Sequence, residues 1–117
     1  MKKIYYLSTC NTCMRIIDEI SLPNDFEFQD IKTEAITEAQ LSEMRNLTDS
    51  YESLFSKRAR LYKELDLKNK SLTEDDYKNY ILEHYTFLKR PVILFNNQIF
   101  IGNSKKTVET AKQAIHE

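Results

Sequence analysis

Two cysteines, Cys10 and Cys13, sit in "YYLSTCNTCMRII" with only Asn11 and Thr12 between them. A pair so spaced can clasp a metal, staple the chain, or carry out sulfur chemistry. A structural zinc site needs four ligands, usually in two short clusters. The other histidines, His84 and His116, lie far apart and do not form a second cluster. A bridge across two intervening residues removes little entropy from the unfolded chain, which makes it a weak staple. The redox use has a mechanism. A thiol at a helix N-terminus lies among unpaired N–H groups and the positive end of the helix dipole, and both favour thiolate over thiol. A second cysteine about one helical turn on can resolve a mixed disulfide formed on the first.

That placement depends on the surrounding elements. "KKIYYL" at 2–7 is rich in β-formers and runs straight into the pair. From Asn11 onward Met14, Ile17 and Ile20 recur at helical spacing, with Cys13 and Ile16 flanking the stripe, so a helix starts at the cysteines. "LPND" at 22–25 breaks it, and "FEFQDI" at 26–31 alternates as a second strand. The result is a βαβ unit with Cys10 at its first corner, expected to be right-handed with parallel strands.

The middle of the chain reads as helical. Thr37–Gln40 has the form of a capping box ahead of Leu41, Met44 and Leu47. Short helices are expected near 50–56 and 58–65. Thr73 opens another helix, whose face runs Tyr77, Tyr80, Ile81, His84 and Leu88 and which stops before Pro91. On that face His84 reads as a partly buried, hydrogen-bonded histidine rather than a general base, and His116 as solvated. "PVILFNNQIFIG" reads as a hairpin turning at Asn96-Asn97. A last helix from about Ser104 to 115 should bury Val108, Ala111 and Ile115.

Composition excludes several functions. With 17 basic and 18 acidic side chains the net charge is −1, and no basic stripe accompanies the seven tyrosines and six phenylalanines. Direct nucleic-acid binding is therefore not expected. Gly102 is the sole glycine, so no Gly-rich nucleotide loop can form. No stretch approaches the roughly 18–20 apolar residues that span a bilayer, and the apolar start ends at Leu7. A cytoplasmic protein without a membrane partner is expected, in a compartment that keeps static disulfides reduced. Its 117 residues suit one domain.

Three stretches in this order, "CNTC" at 10–13, "LFSKRARLYKELDL" at 54–67 and "LKRPVI" at 88–93, make the chain resemble the arsenate reductase (ArsC) family of the glutaredoxin type, with its Spx and YffB-like members. The resemblance implies an α/β thioredoxin-like fold: βαβ … ββα, a mixed four-stranded sheet, and a helical insertion at about 37–88 within a single domain, 1–117. It implies that Cys10 is the nucleophile and Cys13 its resolver, that Arg58 and Arg90 bind an anion, and that Pro91 is a cis-proline opposite the cysteine. A guanidinium suits this role, because its planar fork matches oxyanions and its charge favours a nearby thiolate. Arg60, in the same segment as Arg58, reads as solvated. The implied reaction is reduction of a small oxyanion or a disulfide, with glutathione as co-substrate and glutaredoxin or thioredoxin as partner. No metal or prosthetic group is required.

Some positions depart from well-characterised arsenate reductases. Tyr6 stands at about the place of a histidine, Ser56 where those enzymes have an arginine, and "IGNS" at 101–104 lacks another. Arsenate and mixed disulfides thus both stay open as substrates. So does a second class of function, an Spx-like regulator whose disulfide switches contact with RNA polymerase. Two features weigh against it: the chain stops just after its last helix, and "NLTDSYESLF" lacks the glycine seen in Spx.

Overall fold

The computed structural model describes all 117 residues. Along the chain run β1 (Lys2–Tyr6), α1 (Asn11–Ile20), β2 (Glu27–Asp30), α2 (Glu38–Asn46), α3 (Arg60–Glu64), α4 (Glu74–Glu83), β3 (Val92–Phe95), β4 (Gln98–Ile101) and α5 (Lys105–His116). Single 3-10 turns lie at Glu52–Leu54, Leu67–Asn69 and Tyr85–Phe87. The elements divide into two units, Met1–Glu34 with Arg90–Glu117, and Ala35–Lys89. No helix is long and apolar enough to cross a membrane.

The first unit holds one mixed sheet in the order β2-β1-β3-β4, the arrangement expected of a thioredoxin-like fold. β1 and β2 are parallel, with Ile4 beside Phe28 and Tyr6 beside Asp30, and α1 makes the crossover between them. β3 runs antiparallel to β1, pairing Ile93 with Ile4 and Val92 with Tyr5. The β3–β4 hairpin turns at Asn96, whose φ of 56° lies in the left-handed region that asparagine tolerates. Ile4 and Ile93 from the sheet, Ile16 and Ile20 from α1, and Val108, Ala111 and Ile115 from α5 form the core of this unit. The side chain of His116, expected to be solvated, bonds through Nε2 to the Ile20 carbonyl at the end of α1.

α1 is rotated by one residue from the expected stripe. Its inward face is Cys13, Ile16 and Ile20, while Met14 points outward and Ile17 is half-buried. Both settings have helical spacing, and adjacent residues differ by about 100° around the axis. The small Cys13 takes the inward position and the larger Met14 the outer one. Ser21, at φ 55°, ends the helix by donating its N–H to the Ile17 carbonyl.

In the second unit α2 and α4 start with complete capping boxes, Thr37 with Gln40 and Thr73 with Asp76. Phe55 gathers the aromatic side chains. It stacks on Phe87 at 5.2 Å between centroids and lies 4.8 Å from Tyr77, with Tyr62 and Tyr80 beside it. α4 ends at Glu83 rather than continuing towards Leu88. His84 leaves the helix at φ −150°, and its Nδ1 accepts the Thr86 N–H to start the next turn. This break lets Phe87 reach Phe55 and lets Leu88 bridge to it. His84 is thus hydrogen-bonded and half-buried, as a cap and not as part of a helix face. The helices expected near 50–56 and 58–65 are the 3-10 turn Glu52–Leu54 and the short α3.

Candidate active site

β1 delivers the chain to a turn over Leu7–Cys10, closed by the Cys10 N–H donating to the Leu7 carbonyl at 3.0 Å. Cys10 is the N-cap of α1, with extended backbone, and its carbonyl accepts the first helical bond from Met14 at 3.1 Å. Its side chain closes no capping hydrogen bond, and the residue is half-exposed. Cys13, one turn further, is buried. Both are thiols.

The two sulfurs are tuned in opposite directions. Burial opposes ionisation of Cys10, but four favourable influences outweigh it: the Cys13 N–H, the Cys13 thiol, the Arg90 charge and the Thr12 N–H. Cys10 is therefore held below its ordinary 9.0. Cys13 is pushed up to about 11, first by burial and then by negative charge on the neighbouring Cys10 when that thiol ionises, against the Leu7 backbone and Arg90, which favour its ionisation. An outer thiol that ionises more readily than the inner one is the arrangement in which one attacks and the other waits.

Arg90 arrives beside this pair through strand register. Because Val92 pairs with Tyr5, the chain leading into β3 runs along the end of β1, where the cysteine turn begins. The Arg90–Pro91 bond is cis, and the Pro91 carbonyl accepts the Gly102 N–H at 2.9 Å. Gly102 has φ 91°, a conformation open to glycine and costly for other residues, which accounts for the one glycine of the chain. The first unit thus brings the Arg90 charge to Cys10 and Cys13, with Pro91 next to it in the chain.

Arg58 belongs to the second unit, in an exposed turn ahead of α3. Arg60 pairs with Glu64 at 3.1 Å on the α3 surface. No group of three or more His, Cys, Asp or Glu side chains is assembled that could hold a metal ion. Ser8 and Asp30 were not singled out from sequence, yet their side chains bond to each other next to the cysteine turn. An aspartate closing a strand ahead of a Thr-containing turn is the only local signal, and it is a common one.

The state of Cys13 makes stability pH-dependent. Its folded value of about 11 lies above the ordinary 9.0, so the folded protein keeps a proton that the unfolded chain releases. This stabilisation is complete below the unfolded value and is lost as pH rises through the folded one, on the order of 3 kcal/mol at most. Urea titrations across that alkaline range should show the loss in wild type and not in Cys13→Ala, since other titrating groups are common to both. Parallel pH dependence in the two proteins would refute the buried, protonated Cys13.

Comparison with known proteins gives consistent matches. The sequence model of the ArsC family matches residues 5–111. Among solved structures, a YFFB protein superposes with a TM-score of 0.80 at 17% identity, covering 98% of this chain and 99% of its own. An arsenate reductase from Vibrio cholerae gives 0.76 at 18% identity, covering 97% of this chain and 96% of its own. A protein from Staphylococcus aureus COL gives 0.72 at 26% identity, covering 94% and 97%. No curated protein matches.

Proposed function

The chain belongs to the ArsC family, and from that premise we propose that it is a thiol oxidoreductase with Cys10 as nucleophile. The observation that carries the reading is the opposed tuning of two thiols one helical turn apart, Cys10 lowered and Cys13 raised. With a disulfide substrate, the Cys10 thiolate attacks one sulfur and forms a mixed disulfide. The other sulfur leaves as a thiolate and takes up a proton. That step removes the negative charge that had raised Cys13, so the inner thiol ionises more readily only after Cys10 has reacted. Cys13 or glutathione then attacks Cys10, releasing the substrate thiol and leaving a disulfide for glutathione, glutaredoxin or thioredoxin to reduce.

With arsenate, the thiolate displaces one oxygen as water and forms a sulfur–arsenic bond. A second thiol then attacks that sulfur, and arsenic departs as arsenite with the electron pair, while two thiols become one disulfide. Arg90 beside Cys10 holds the anionic group in either case. Arg58, in the second unit, is assigned to anion binding by the family resemblance alone. Neither route needs a metal or a prosthetic group.

The deciding experiment is a turnover assay that crosses arsenate and a glutathione mixed disulfide with two reducing systems, glutathione/glutaredoxin and thioredoxin. Reduction of at least one substrate, well above the rate of the thiols alone, is expected. A flat result in all four combinations, with the Cys10–Cys13 disulfide still forming and reversing, would replace the enzyme with a redox-switched binding module. RNA polymerase would then be the partner to test.

Arg90 has its own test. Arg90→Leu should raise the pKa of Cys10, because the cation favouring its thiolate is gone. It should also lower kcat/KM for an anionic substrate by roughly ten- to a hundredfold, the worth of one charge-assisted contact. A thiolate-absorbance titration and a KM measurement read the two effects separately. An unchanged titration with unchanged kinetics would remove Arg90 from the site.

A further inference from the structure

The turn that presents Cys10 contains no glycine or proline; it is Leu7-Ser8-Thr9-Cys10, with Ser8 and Thr9 exposed. Its own closing bond is the single Cys10-to-Leu7 backbone contact already described. Further restraint comes from the neighbouring strand. Asp30, the last residue of β2, lies beside Tyr6, the last residue of β1. One Asp30 carboxylate oxygen accepts the Ser8 hydroxyl, and Oδ1 accepts the Ser8 N–H at 3.4 Å and the Lys32 N–H at 3.2 Å. Next to it the Ile31 N–H donates to the Tyr6 carbonyl at 2.9 Å.

The Asp30 backbone is itself held. Its carbonyl accepts the Thr33 and Glu34 N–H groups at 3.2 and 2.8 Å, and the Thr33 hydroxyl at 3.3 Å. The carboxylate therefore projects from a fixed strand end onto the second residue of the nucleophile's turn. We propose that Asp30 is a positioning residue for Cys10, which holds the turn through Ser8 so that the sulfur stays among the Thr12 and Cys13 N–H groups. The functional part of this inference rests on the reading of Cys10 as the nucleophile. The Ser8 hydroxyl, followed by the Lys32 and Ser8 amides, keeps the Asp30 carboxyl below its ordinary 3.8, so the anchor is an ionised acceptor wherever the thiol reacts. A hydrogen-bond anchor and a bare negative charge have opposite consequences for Cys10. Losing the anchor destabilises the thiolate, whereas losing a nearby negative charge stabilises it.

Alkylation of Cys10 by iodoacetamide across pH, counted by mass on the Cys10 peptide of the full chain, tests the proposal without requiring any substrate. Asp30→Ala should slow alkylation at neutral pH by about tenfold and shift the profile to higher pH, since charge-assisted contacts to the turn are lost. Asp30→Asn keeps an acceptor for Ser8 and Lys32 and should stay within about twofold of wild type, and Ser8→Ala should fall between the two. A folded Asp30→Ala protein with the wild-type profile would overturn the proposal. So would alkylation faster than wild type in both the Ala and the Asn variants, because a lost negative charge and not placement would then be the cause. Should Asp30→Ala fail to fold, a wild-type profile in Ser8→Ala overturns the proposal by itself. Failure of the oxidoreductase reading looks different: no substrate is turned over, while Asp30→Ala still shifts the alkylation profile.

Discussion

Serine in place of Cys10 is expected to lower turnover by at least about a thousandfold, because a hydroxyl at this helix start stays protonated and cannot accept the electron-pair exchange of a disulfide. The effect should be on kcat and not on binding, since the two side chains are nearly the same size and Arg90 is untouched. Cys13→Ser should behave differently. The inner thiol is buried and, at about 11, mostly protonated in the resting protein, so it is not expected to start a reaction. Its loss should leave a glutathione-dependent cycle and abolish only the one that closes through an internal disulfide. Single-turnover mass spectrometry distinguishes the cases: the Cys13→Ser protein should accumulate a mixed disulfide on Cys10, and the Cys10→Ser protein none. Turnover by Cys10→Ser at the wild-type rate would remove Cys10 from the chemistry.

The second large effect concerns the helix that carries both thiols. Ile16 is 2% exposed within the core of the first unit, and Met14 is 39% exposed. Ile16→Ala should lower unfolding free energy by about 2–5 kcal/mol, from lost apolar burial plus the cavity left behind. A domain of this size has a total stability of roughly 5–15 kcal/mol, so such a loss is a large fraction of it. Met14→Ala should change stability by less than about 0.5 kcal/mol, as most exposed substitutions do. Urea titrations of both variants measure the rotation of α1 directly. If Met14→Ala proved the more damaging, the helix would present its 14/17/20 stripe to the core, and Cys13 would not be the inner thiol.

Much of the first unit was legible because its causes are local. A β-rich run ending at a cysteine, a helical apolar spacing, "LPND" as a stop and Asn96-Asn97 as a turn each act within a few residues, and each sits where expected. The capping boxes at Thr37 and Thr73 are equally short-range. The errors fell where a local pattern permits two answers. The helical spacing of α1 fits 14/17/20 as well as 13/16/20, and α4 could have run on to Leu88 had Phe87 not been drawn to Phe55. His84 was recognised as a hydrogen-bonded residue, but its partner lies two residues ahead in the next turn.

By itself the sequence determined that two thiols sit at a strand-to-helix corner, because the strand, the corner and the helix are all encoded within its first twenty residues. Only the tertiary structure decided which thiol ionises more readily. That depends on the rotation of α1, which buries Cys13, and on the β1–β3 register, which sets Arg90 against the end of β1. It also supplied the tie from Asp30 to Ser8, made between residues 22 apart. The physical reason is common to all three. A thiol's proton affinity is set by the charges, N–H groups and water that surround it, and most of these are brought by chain segments distant in sequence.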